Sequence, residues 1–198
     1  SLIAVRKCAL FAGSGLTSRS GGTSWDDLIV HLKKKFNYSS PLKDNFQIRG
    51  DMCDKFGLEE VYETVKNRLK NASVNEPVSK LTSLPWFATF TTNYDIALED
   101  SLSENQQLSV RTIVTGHEFA LTGLQSEILC VKLMGSLDIP AGQPGSMVLD
   151  AGDFVVAREQ RARIFEILAS HAANLSFLFV GYSFNDGLFL EILDRLVK

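Results

Sequence analysis

Hydrophobic residues along this chain gather in short runs, and stretches of helical periodicity separate the runs. Cys8–Ala12, Phe87–Thr91, Leu129–Leu133 and Ser176–Val180 are too short for helices and largely apolar at consecutive positions, the pattern of strands buried on both faces. Ser109–Val114 is a further strand. The first run ends at Gly13-Ser14-Gly15, and a polar loop from Thr17 to Ser24 follows it. Ser24-Trp25-Asp26-Asp27 then has the form of an N-cap with acids in the first turn, and Leu28, Ile29, Leu32 and Phe36 recur at helical spacing. From about 37 to 84 the chain is mostly helical in character. There Leu58, Val61, Tyr62, Val65 and Leu69 form an apolar stripe opposite Lys and Glu, so this stretch reads as a helical module inserted between the first two core strands. Later helices carry Ile96, Leu98 and Leu102, then run from Arg158 to Ala172, and finally carry Leu188, Ile192, Leu193 and Leu196; a Gly- and Pro-containing loop spans Ile139 to Gly145. Strands alternating with helices imply an α/β fold with a mostly parallel sheet and helices on both faces.

The chain has 198 residues, enough for a single domain with one full core, and it reads as a fragment of a longer protein. Apolar residues make up 45% and charged residues 22%, an ordinary globular balance without repeats or low-complexity tracts. No apolar run approaches the length needed to cross a bilayer, and Ser1-Leu2 begins no signal peptide, so no membrane association is expected. A net charge of −3 gives no global attraction for nucleic acid. Lys33, Lys34 and Lys35 read as a solvated helix end. Three widely spaced cysteines, Cys8, Cys53 and Cys130, make neither a disulfide framework nor a zinc site, so no metal is expected and a reducing, cytoplasmic setting fits.

In a parallel sheet all strands present their C-terminal ends on one edge, where ligands bind. Four such ends carry polar or glycine-rich residues: Gly13-Ser14-Gly15, Asn93-Tyr94-Asp95, Met134-Gly135-Ser136 and Gly181-Tyr182-Ser183. Their convergence is the central expectation. Gly13 and Gly15 permit a tight turn and close approach of a phosphate to backbone N–H groups, or simply a glycine turn without ligand. Asn93 and Asp95 suit a sugar hydroxyl, a water or a carboxamide, or else cap the following helix. Gly181 and Ser183 suit a phosphate or ribose oxygen, and Asp186 caps the last helix.

In sequence order, "FAGSG", "TTNYD", "KLMGS" and "LFVGYSFND" resemble the motifs of SIR2-like (sirtuin-related) domains, specifically the compact zinc-free prokaryotic group. The resemblance spans about Cys8 to Asp186. It implies a Rossmann-like three-layer fold, a site for NAD⁺ between sheet and helical module, and cleavage of the nicotinamide–ribose bond to give ADP-ribose and nicotinamide. It further implies that Asn93 serves the nicotinamide ribose or the attacking water and that Asp95 contacts the carboxamide. Gly13, Ser14 and Gly15 would approach the pyrophosphate, Gly181 and Ser183 would lie on the adenosine side, and Thr17 and Gly135 would also bind the cofactor. Defence against phage, and homo-oligomers or appended domains, are the setting it implies.

One departure stands out. Met134 occupies the place of the family's catalytic histidine. Imidazole titrates near neutrality and takes a proton from a ribose hydroxyl or a water, whereas a thioether cannot. His31, His117 and His171 read as surface or core histidines, not as replacements. Met134 therefore admits a weakened enzyme, a domain that binds NAD⁺ or ADP-ribose without cleaving it, or a substitution introduced to trap ligand. Two other activities fit less well. A dehydrogenase would need a third glycine where Ser18 stands and an acidic residue after a second strand. A zinc deacylase would need four cysteines.

Overall fold

The computed structural model describes residues 1–18, 22–118, 127–160, 162–164, 166 and 174–182. It holds five strands, β1 (Cys8–Ala12), β2 (Ala88–Thr91), β3 (Ser109–Ile113), β4 (Glu127–Lys132) and β5 (Ser176–Val180). They form one sheet in the order β3-β4-β2-β1-β5, every neighbouring pair parallel. The helices are α1 (Gly15–Ser18), α2 (Trp25–Lys35), α3 (Asn45–Phe56), α4 (Leu58–Leu69), α5 (Glu76–Thr82), α6 (Ala97–Asn105) and α7 (Ala151–Gln160). The fold is α/β, as the alternation of apolar runs predicts, and Rossmann-like, as the resemblance implies.

The pleat sorts the core. Ala9 and Phe11 of β1 face a cluster built with α2, α3 and α4, whereas Cys8, Leu10 and Ala12 face a second cluster with Leu16, Trp86, Leu98 and Leu102. Helix α5 sends Val78 and Leu81 to this second cluster, so the helices of the 37–84 stretch cover both faces of the sheet. Ser24 caps α2 as its sequence predicts, its hydroxyl accepting the Asp27 N–H at 3.1 Å. Lys33, Lys34 and Lys35 fill the last turn of that helix, where cations meet its negative end.

Two elements differ from their sequence pattern. The polar stretch after Gly15 begins with one helical turn, because Leu16 N–H bonds to the Gly13 carbonyl and Ser18 N–H to that of Ser14. Helix α7 starts at Ala151 instead of Arg158: Asp150 accepts the Asp153 N–H and Asp153 the Leu149 N–H, a reciprocal cap that fixes the earlier start. The expected final helix lies outside the described residues.

The loops after β1 and β5 interlock. Gly13 N–H donates to Val180 and Gly15 N–H to Gly181, both at 2.9 Å. A Cβ on Gly13 would stand 2.5 Å from the Gly181 carbonyl oxygen, so these glycines are required by backbone meeting backbone. Gly13→Ala is expected to lower stability by about 1–3 kcal/mol, measured by urea unfolding; an unchanged midpoint would show that the loops separate freely.

Candidate functional site

The register of the sheet assembles the strand ends into one line. Thr91 of β2 pairs with Lys132 of β4, and Asn93 and Met134 each lie two residues further on. The Leu133 N–H closes on the Thr91 carbonyl at 2.8 Å, bringing these two ends side by side. On the other flank Thr91 pairs with Ala12, and the Asn93 side-chain amide donates to the Gly13 carbonyl at 3.4 Å. Ala12 in turn pairs with Val180. The edge therefore reads Met134, Asn93, Gly13, Gly181 in space, although these residues are scattered along the chain.

Asn93 is the centre of that line. Its backbone N–H bonds to the Thr91 hydroxyl at 3.0 Å, which fixes the turn. The residue is 3% exposed, and its amide oxygen Oδ1 is buried without a hydrogen-bond partner among the described residues. A buried acceptor left open costs about 1–3 kcal/mol, and it marks where a hydroxyl, water or amide of a ligand would donate. Met134 is 5% exposed and packs in the main core, its carbonyl accepting the Val148 N–H at 3.0 Å. Gly135 adopts φ +89° beneath the Ser146 carbonyl, a conformation and an approach that a side chain would prevent.

Beneath the turn lies a buried charge cluster absent from the sequence reading. Lys132 is 0% exposed, and its Nζ donates to the carbonyls of Tyr94 and Asp95 and to Glu99 Oε1, the last at 2.5 Å. The lysine thus ties the end of β4 to the turn that carries Asn93, with α6 supplying the counter-charge. Asp95 performs the capping role open to it: Oδ1 accepts the Ala97 N–H at 3.2 Å, while Oδ2 accepts the Thr17 hydroxyl at 3.4 Å. Burial pushes the carboxyls of Asp95 and Glu99 above the usual range, and the Lys132 ammonium opposes that rise. A lysine at the end of an otherwise apolar strand was the one available signal for this cluster.

Aromatic side chains wall the same region. Tyr94 donates its hydroxyl to the Val148 carbonyl, and the Trp25 ring meets it edge-on at 5.1 Å. Tyr62 of α4 pins the loop after β4: its hydroxyl donates to the Ile139 carbonyl, lies 3.3 Å from that of Ser136 and accepts the Met147 N–H.

Gly13, Ser14, Gly15, Thr17, Asn93, Asp95, Met134, Gly135 and Gly181 accordingly lie on a single sheet edge. The Gly13 and Gly15 N–H groups, candidates for a phosphate, are already bonded to β5 and its loop, and the Thr17 hydroxyl is turned to Asp95. Ser183, Asn185, Asp186 and His171 lie outside the described residues. His31 is half-buried on α2, and of His117 only the backbone is described, in a short 3₁₀ turn.

Comparison with protein families decides the kinship. The family described as "SIR2-like domain" matches residues 88–198, more than half of the chain. The chain belongs to this family. The SIR2-like domain is 27% identical over 194 residues to NAD(+) hydrolase ThsA of Cytobacillus dafuensis, covering 95% of this chain and 37% of that protein. It is 23% identical to NAD(+) hydrolase ThsA of Bacillus cereus (strain MSX-D12) and 25% to that of Acinetobacter baumannii (strain 532279), in each case covering 39% of the relative. The SIR2-like domain thus spans less than two-fifths of the length of the curated relatives it matches. Among the described residues, no helix is long and apolar enough to cross a membrane.

Proposed function

We propose that this SIR2-like domain binds NAD⁺ along the edge from Met134 to Gly181 and cleaves the nicotinamide–ribose bond, giving nicotinamide and ADP-ribose. The observation that carries the reading is the buried amide oxygen of Asn93, which has no partner among the described residues while its NH2 group donates to Gly13. That acceptor suits a ribose hydroxyl or the attacking water, and the names of the relatives supply the substrate.

The chemistry asks little of an acid. Nicotinamide leaves as a neutral base when the C–N bond breaks, and its departure needs no proton. Water then adds to the sugar cation, and its proton passes to solvent, since the Met134 thioether takes none. Asn93 orients the ribose or water, and the Lys132–Glu99 pair holds the Asn93 turn in place. Positioning and electrostatics therefore remain while general-base assistance is missing, so we assign the domain a slow hydrolase activity. Asp95 is assigned to the carboxamide; Gly13, Ser14, Gly15, Thr17 and Gly135 to the ligand's path; and Gly181 and Ser183 to the adenosine side. The setting we propose is a cytoplasmic, defence-type effector, in which this domain is one part of a longer, oligomeric protein.

Incubation with NAD⁺ and chromatography of released nicotinamide tests the reading. Slow release that Asn93→Ala abolishes is the expected result. A second reading, a sensor that holds NAD⁺ or ADP-ribose intact, is favoured by Met134 itself. Calorimetric binding without any nicotinamide release would select it, and no binding of either compound would overturn both.

A further inference from the structure

In the helical stretch packed on the sheet, helix α3 places an arginine where an apolar residue belongs. Arg49 shares a face with Ile48, Met52 and Cys53 and is only 4% exposed. Its guanidinium carbon lies 4.6 Å from the centroid of Trp25 and 5.2 Å from that of Phe46, so aromatic rings flank the cation. Among the described residues its enclosed Nε has no hydrogen-bond partner, and no carboxylate lies within ion-pair distance.

Nearby acids are engaged elsewhere. Asp44 caps α3, Asp26 accepts from Asn45, Asp51 takes Lys55 and Tyr38, and Asp150 and Asp153 cap α7. A buried guanidinium without a counter-ion is unfavourable, and its planar fork is shaped for two oxygens of a phosphate. Trp25 connects it to the site, because the same indole packs against Tyr94, the neighbour of Asn93. Among the described residues, the Gly13 and Gly15 N–H groups are already occupied and Lys132 is neutralised by Glu99.

We infer that Arg49 is a phosphate-binding residue, and that the phosphate it takes is part of the dinucleotide's diphosphate; this second half rests on the function proposed above. The guanidinium donates to phosphate oxygens while Trp25 and Phe46 hold its plane. Without ligand, the arginine contributes little to the fold.

Calorimetric titration of the chain and its Arg49→Met variant with inorganic pyrophosphate, ADP-ribose and nicotinamide riboside tests this, the last compound carrying no phosphate. The variant is expected to bind pyrophosphate and ADP-ribose about 10-fold or more weakly, to bind nicotinamide riboside as before, and to melt at the same or a higher temperature without ligand. Arg49→Lys is expected to recover part of the lost affinity. Equal affinity of both proteins for pyrophosphate, or equal loss of all three ligands with a lowered melting temperature, overturns the assignment. Arg49-dependent binding of pyrophosphate by a chain that binds neither ADP-ribose nor NAD⁺ keeps the phosphate site and removes the dinucleotide from it.

Discussion

Met134→His is expected to raise nicotinamide release from NAD⁺ by about 10²–10⁴-fold, the usual worth of a positioned general base. Met134 stands beside Asn93 at the paired ends of β2 and β4, enclosed at 5% exposure. Histidine is no bulkier than the thioether chain it replaces. Its imidazole titrates near neutrality, so the gained activity should rise with pH as the ring loses its proton and then level off. Asn93→Ala in the same background should return the rate to baseline, because a base without an oriented ribose or water has nothing to act on. Single-turnover release followed by chromatography reads both effects. A histidine variant that folds, binds NAD⁺ and still releases no more nicotinamide than its parent would remove this edge as the site of cleavage.

The second large effect concerns the buried charges. Lys132→Met is expected to destabilise the domain by about 3–5 kcal/mol, the cost of leaving one member of a buried ion pair alone. The loss has two sources: Glu99 would lose the counter-charge that opposes its burial, and the Tyr94 and Asp95 carbonyls would lose their donor. A variant that also carries Glu99→Leu should recover much of the loss, since buried pairs are often replaceable by apolar groups of similar volume. Urea unfolding of the two single variants and the double variant measures the coupling. Additive effects would show that the two side chains do not depend on one another. The recovered double variant should still bind NAD⁺ poorly, because the turn bearing Asn93 is no longer tied to β4.

The sheet was legible because a strand buried on both faces has few alternatives as a run of apolar residues, and Cys8–Ala12, buried at every position, falls where that rule puts it. Ser176–Val180 is a strand as expected, but it lies at the sheet edge and is exposed or half-buried along its length rather than buried. The gathering of Gly13, Asn93 and Met134 also followed, since parallel strands share an edge whatever their order. The order itself was not legible: β4 inserts between β2 and β3 through contacts distant in sequence. Helix α7 was placed late because Val155 and Val156 are exposed and blur its periodicity. Lys132 and Arg49 escaped notice for one reason. Each is a charge at an apolar position, and only the packed structure shows what surrounds it.

The Tyr62 hydroxyl has a mechanical consequence. By grasping the loop after β4 near Ser136, Ile139 and Met147, it makes helix α4 and the segment holding Met134 a single lever. Any load applied to that helix is passed to the strand end that carries Met134 within the length of one side chain.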